Sequence, residues 1–343
     1  MSRRGHRGIL IIKLGALGDV IVSTPFIEAI VRHHLEEEIF LLTAPAFAPL
    51  FAGHPRLRVV AFPRKGVRAM SASLAWIRRH RFHSIYDLQN SDRSALMVAL
   101  SGAARRVGRS PGGIYNVRPR EDDRSAHIFV RLAALLASAG IPQVDPRPRL
   151  WLDAAAEAAG RQWLAARGLG GRPLALLHAG SSANWVSKRW PEENFAALGR
   201  RLDAAGIDVV WVGGGPERAL NARLASVVGT DASDALSVIE LAALSRLAAF
   251  AVTGDSGPMH VMSTAGIPVF SLFGPTDWRR HHALGQEARV LVHKVDCSPC
   301  YLGTCPARRG HLCLNDISVD EVFDRIRKDP DCCSIFDTDP DRH

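Results

Sequence analysis

The chain has 343 residues, of which 47% are hydrophobic and 22% charged, with a formal net charge of +9. That length points to two domains of about 150 residues each, and the composition excludes a disordered or collagen-like chain. No window nears the roughly 18 uninterrupted apolar residues of a membrane-spanning helix, and the positive charge calls for an anionic partner such as phosphorylated lipid, nucleotide or nucleic acid. The excess is uneven. His54–Tyr86 holds eight basic residues (Arg56, Arg58, Arg64, Lys65, Arg68, Arg78, Arg79, Arg81) and no acid, and Arg93–Arg120 adds six arginines, again with no acid. A large anion is therefore expected on the N-terminal half, the bland alternative being a solvated basic face.

Gly8–Lys13 is an apolar run without alternation, the pattern of a strand buried on both faces. The run stops at Lys13, too short for a secretory leader, so the cytoplasm is the expected compartment. "KLGALGD" (Lys13–Asp19) is a glycine turn leading into a helix expected over Asp19–His34. It is neither G-x-G-x-x-G nor a Walker A loop. Gly15 and Gly18 let the backbone approach a ligand, while Asp19 reads either as an N-cap or as a reactive carboxylate. Ile39–Thr43, Arg58–Ala61 and Ser84–Leu88 are the next strands, with helical runs between them, so parallel βαβ units are expected. A proline-rich stretch, Gly140–Leu150, and a helical run, Ala154–Arg167, lead to "GLGGRP" (Gly168–Pro173), the best linker in the chain. The expected division is residues 1–167, residues 168–317, and a C-terminal helix (Ser318–Lys328) with a polar, disordered tail over 318–343.

A second series of the same kind follows, with strands at Leu174–His178, "IDVVWVGG", "FAVTGD" and "IPVFSLFG" separated by helices. The α/β class expected is two doubly wound, Rossmann-like domains whose strand C-termini face one cleft. "HAGSSANWVSKRWPEENF" (His178–Phe195) ends a strand in the hydroxyls of Ser181 and Ser182 and sets Lys188 before a proline-led helix. That set suits a phosphate, a solvated basic loop being the alternative. In "VGGGPERAL", Glu217 reads either as an acceptor of ribose hydroxyls or as a first-turn helix charge. "VTGDSGPMHVMSTAGIPVFSLFGPTD" (Val252–Asp277) contains a protease-like "GDSGP". That chemistry needs a histidine base, and His260, one turn down the same helix, is poorly placed to serve. Asp255, Ser256 and Gly257 read instead as an anion cradle at a helix start.

Taken in this order, "GALGDVIVSTPFIEAI", "SKRWPEENF" and "TGDSGPMHVMSTAGIPVFSLFGPTD" resemble the heptosyltransferases of bacterial lipopolysaccharide synthesis, and the resemblance covers nearly the whole chain. It implies a GT-B fold and inverting transfer of heptose from ADP-heptose to an anionic lipopolysaccharide core. By the same resemblance Asp19 is the base on the acceptor hydroxyl and Lys188 neutralises the donor diphosphate, with Ser181 or Ser182 beside it. Glu217 would hold the ribose, and Asp255, Ser256, Gly257 and His260 would complete the donor site. No acidic D-x-D pair stands in a donor loop, which agrees with transfer that requires no metal cofactor. Peripheral contact with the inner face of the cytoplasmic membrane follows from the basic half.

Cys297, Cys300, Cys305 and Cys313 form a C-x2-C-x4-C-x7-C pattern. Two readings stand: a structural zinc or iron site with every position filled, or reduced, packed thiols. Two other functional readings are kept: a GT-B transferase using another nucleotide sugar or acceptor, and a non-catalytic nucleotide- or anion-binding module. Nucleic acid is not expected as a partner, because the basic runs lack interleaved aromatics.

Overall fold

The computed structural model describes residues 8–110 and 112–336. The chain divides into two compact units, Met1–Trp151 and Leu152–His343. In the first unit five strands, β1 (Gly8–Ile12), β2 (Glu38–Thr43), β3 (Leu57–Ala61), β4 (Ser84–Asp87) and β5 (Arg105–Val107), form one sheet in the order β3-β2-β1-β4-β5. Every pairing in it is parallel. β1 is buried along its whole length, as its unbroken apolar sequence requires. The chain reverses direction of travel across the sheet at β1, so the turn after β1 lies at the topological switch point where α/β folds place their ligands.

The second unit repeats the plan with β6 (Leu174–His178), β7 (Asp208–Trp211), β8 (Thr230–Asp231), β9 (Phe250–Gly254), β10 (Val269–Phe273) and β11 (Val290–Val292), in the order β11-β10-β9-β6-β7-β8. This sheet is also wholly parallel. Successive residues of β6 feed opposite faces: Ala175 and Leu177 enter a core with Trp190, Phe195 and Trp211, while Leu174 and Leu176 join Trp163, Leu244 and Phe273. Helices cover both faces, and the doubly wound α/β class is as expected.

The division falls at Trp151, ahead of the glycine-rich stretch taken as the linker. Helix Ala154–Ala165 belongs to the second unit because Trp163 and Leu164 are buried in that unit's core. The C-terminal helix, Val319–Arg327, is likewise part of the second unit. Val322 and Ile326 sit in the same core as Trp190, and Ser318 caps the helix by accepting from the Glu321 amide at 3.1 Å. Residues 329–336, expected as part of a disordered tail, are instead packed: Cys332 is buried, and Arg289 pairs with Asp329 at 2.7 Å and Asp331 at 2.5 Å. The rest of the expected tail, 337–343, lies outside the described residues. Among the described residues no helix is long and apolar enough to cross a membrane.

Candidate functional site

In the first unit the turn after β1 carries the chemistry. Helix Leu17–His33 begins earlier than the sequence suggests, with Ala16 at its N-cap, so Asp19 stands inside the first turn. The N-cap reading of Asp19 is therefore wrong: Ala16 makes no side-chain cap, and Asp19 is an exposed carboxylate at the positive end of the helix. Gln89, beyond β4, fixes the turn by accepting from the amides of Leu14 and Gly15 at 2.9 and 3.1 Å. Gly15 has φ +134°, and a Cβ there would come within 2.6 Å of the Phe47 ring and 2.9 Å of the Arg64 guanidinium. Only glycine lets both side chains close over the backbone.

Beneath the turn lies a buried charged layer. Lys13 is 2% exposed, and its ammonium approaches the Leu88 carbonyl at 3.4 Å. Burial pushes its pKa down, opposed by the charges of Asp19 and Asp87. Asp87, fully buried, is pushed up by burial although it accepts from Tyr115 Oη at 2.5 Å and from the amides of Gln89 and Asn90. Arg109 is buried beside Asp122 at 3.4 Å, while Asp122 also takes Arg131 at 2.7 Å. The basic stretches separate accordingly. Arg56, Arg105 and Arg106 donate to backbone carbonyls, and Arg58 pairs with Glu38. Arg64, Lys65 and Arg68 are exposed, with no acidic partner among the described ion pairs.

In the second unit the loops after β6, β7 and β9 converge. Lys188 Nζ lies 2.6 Å from Asp255 Oδ2 and 4.6 Å from the centroid of the Trp185 ring. Thr276 donates to the same Asp255 oxygen at 2.6 Å. Gly254 admits this approach, since a Cβ there would lie 2.8 Å from the Lys188 carbonyl oxygen. Ser256 occupies the N-cap of helix Gly257–Ser263 yet makes no cap bond. Its hydroxyl turns instead to Thr253 Oγ1 at 3.2 Å and His178 Nδ1 at 3.3 Å, leaving the amides of the first turn uncapped. His178 and Thr253 are paired in register on β6 and β9, and burial, helped by Arg189, lowers the His178 pKa to about 4. His260 is buried in the following turn of the helix.

The two serines divide. Ser181 is buried, donates to the Trp185 carbonyl at 2.8 Å and accepts from Arg189 Nε at 3.0 Å, so its hydroxyl is engaged inside the loop. Ser182 is exposed. Glu217 leans over Gly180, where a Cβ would collide with its side chain, and one carboxylate oxygen accepts from the Gly214 amide at 3.0 Å. Lys188, Asp255, Ser256 and Glu217 thus all occupy loops at strand C-termini of one sheet, the position that binds ligands in open α/β folds.

Residues 72–311 match the family described as glycosyltransferase family 9 (heptosyltransferase). The chain belongs to glycosyltransferase family 9. Lipopolysaccharide heptosyltransferase 1 of Pseudomonas aeruginosa is 29% identical over 319 residues, covering 87% of each chain. Among solved structures, a glycosyl transferase family 9 protein from Veillonella parvula superposes with a TM-score of 0.80 at 20% identity, covering 94% of this chain and 96% of that one. The ADP-heptose lps heptosyltransferase II of E. coli gives 0.76 at 21% identity, covering 93% and 97%. The chain is a glycosyltransferase with the GT-B type of fold.

In this family 9 enzyme the four cysteines gather around one cavity of about 40 Å³, which Ser187 and His311 also line. Burial, then Cys305, Cys297 and Cys300, pushes the Cys313 thiol up to about 11. As the side chains stand, no three His, Cys, Asp or Glu groups among the described residues are set to hold a metal ion. Sequence reasoning passed over Gln89, Phe47, His178, Thr253 and Thr276. The signal available for His178 and Thr253 was their place at the ends of two apolar strands.

Proposed function

We propose that this enzyme moves heptose from ADP-heptose to a lipopolysaccharide core acceptor, with inversion and without a metal in the chemical step. The observation that carries the reading is the Lys188–Asp255 pair beside the uncapped start of helix Gly257–Ser263, in a family 9 chain whose relatives are named for this transfer. The second unit takes the donor. Lys188 turns to the diphosphate, Ser182 rather than Ser181 offers the free hydroxyl, and Glu217 accepts from the ribose. Asp255, Gly257 and His260 complete the surroundings of the sugar and diphosphate, and Ser256 is held by His178.

The first unit takes the acceptor. Asp19 accepts the proton of the acceptor hydroxyl as its oxygen bonds to the anomeric carbon from the face opposite the diphosphate. The bond from that carbon to the β-phosphate oxygen breaks, its electron pair leaves with ADP, and Lys188 stabilises the charge that develops. Arg64, Lys65 and Arg68 meet the phosphates and carboxylates of the lipid-borne core, which draws the enzyme to the inner membrane face.

Calorimetric titration with ADP, UDP and GDP, without added divalent metal, tests the donor reading. Selective binding of ADP is expected. A preference for UDP or GDP would reassign the sugar nucleotide, and binding of none would remove the donor site from the second unit.

A further inference from the structure

Within the first unit the strand order makes the chain part between β1 and β4. From β1 it continues to β2 and β3 on one side, and from β4 to β5 on the other. A crevice opens where connections part in this way, outside the carboxyl ends of the two strands, and open α/β sheets bind their ligands there. Ile12 and Asp87 are the last pair in register between these strands. Just beyond them one side chain spans the gap. Gln89 Oε1 accepts from the Leu14 amide at 2.9 Å and from the Gly15 amide at 3.1 Å.

Those two bonds fix which way the carboxamide lies. With its oxygen and nitrogen exchanged, the NH2 group would face two backbone N–H donors and both bonds would be lost. The backbone of the loop is fixed as well. The amides of Gln89 and Asn90 donate to buried Asp87 Oδ1 at 3.0 and 2.8 Å, and Asn90 Oδ1 accepts from the amides of Arg109 and Ser110, each at 3.1 Å. The Gln89 oxygen is therefore committed to the turn, while Nε2 keeps two N–H donors that meet no acceptor among the described residues. Gln89 is partly exposed, so those donors are open to a ligand. A brace for the turn does not need them, since a carboxylate would accept from the same two amides.

We propose that Gln89 Nε2 binds an oxygen of the acceptor sugar beside the hydroxyl that is glycosylated, and so helps decide which hydroxyl meets Asp19. The proposal rests on the reading of the first unit as the acceptor side. Asp19 stands in the first turn of the helix that follows the braced glycine turn. The two side chains offer opposite chemistry: a carboxylate accepts, and Gln89 has only donors left. A sugar with neighbouring oxygens satisfies both. Its reacting hydroxyl donates to Asp19, and the adjacent oxygen accepts from Gln89.

Gln89→Glu is the discriminating variant, because it still accepts from both turn amides but carries no N–H donor. With ADP-heptose and heptose-free lipopolysaccharide core as substrates, its KM for the core should rise at least about tenfold. Its urea midpoint should be kept, and its ADP affinity should stay within about twofold of wild type. The rise in KM should persist at about 0.5 M salt, where screening within roughly 4 Å removes repulsion between the added charge and an anionic core. Gln89→Ala also frees the turn, so it should lower kcat as well as raise KM. An unchanged KM for the core in Gln89→Glu, or a rise that salt abolishes, would overturn the proposal and leave Gln89 a brace. Wild type that transfers nothing to the core would overturn the acceptor reading itself and this proposal with it, and the wild-type assay shows that before any variant is compared. Should Gln89→Glu fail to fold, wild type labelled with 15N in its glutamine carboxamides reads the contact directly. The Gln89 resonances, identified by cross-relaxation with the Leu14 and Gly15 amides, should shift on adding the core and stay in place on adding ADP. Resonances that ignore the core would overturn the proposal.

Discussion

Lys188 and Asp255 share an ion pair at 2.6 Å, although they stand on different loops and the lysine is the group proposed to meet the donor diphosphate. Asp255 has a second partner in Thr276, so it can hold its geometry while Lys188 turns to a phosphate. Removing the ammonium removes charge-assisted hydrogen bonds worth about 1.5–3 kcal/mol. Lys188→Ala is expected to weaken ADP binding about 10- to 100-fold by calorimetry and to lower turnover with it. Unchanged ADP affinity would take Lys188 out of the site.

His178 gives a pH signature. Its folded-state pKa of about 4 lies below the ordinary value of 6.5, so below pH 6.5 the unfolded chain binds the proton that the folded chain refuses. Stability is therefore lost as pH falls from about 6.5 towards 4, by roughly 2 kcal/mol at pH 5. Urea denaturation at pH 7.5 and pH 5 measures it, and His178→Asn should flatten this part of the pH dependence. An equal loss in wild type and variant would show that His178 is not the titrating group.

Much of the fold was legible because strands such as β1 and β6 are unbroken apolar runs, the mark of strands buried on both faces. β5 was not, since two of its three residues are arginines whose heads reach carbonyls at Ala139, Ile114 and Ala103. The helix start at Asp19 was misplaced because the glycine turn ends earlier than its residues suggest, and nothing at Ala16 marks a cap. Lys188, Asp255 and Glu217 could be proposed because each follows an apolar strand. Gln89 could not, nor could the pairing of His178 with Thr253, because these partners lie 75 residues or so apart in sequence and only the sheet order brings them together. Ser181 could not be told from Ser182 until Arg189 was seen to occupy its hydroxyl.

Gly180 and Gly15 test the two units separately. Gly180→Ala pushes a methyl into Glu217 and should raise the ADP dissociation constant about tenfold while leaving acceptor affinity alone. Gly15→Ala meets Phe47 and Arg64 at a left-handed φ and should cost about 1–3 kcal/mol of stability. It should also impair acceptor use more than ADP binding. Comparing calorimetry with steady-state kinetics separates the two effects, and a Gly15→Ala variant that loses ADP affinity equally would contradict the division of labour.

Metal independence has its own check. Turnover assayed without added magnesium or manganese should match turnover with either ion within about twofold. A strong dependence on magnesium would place a metal in the chemical step.

The central claim is tested most directly by giving the wild-type enzyme and Asp19→Asn the same ADP-heptose and heptose-free lipopolysaccharide core. Product mass and anomeric configuration would be followed, alongside the ADP affinity of both proteins. Wild type should add one heptose with inversion, while Asp19→Asn binds ADP as tightly yet transfers at least about 100-fold more slowly. Transfer by Asp19→Asn at the wild-type rate, or retention of configuration by the wild type, would contradict the account.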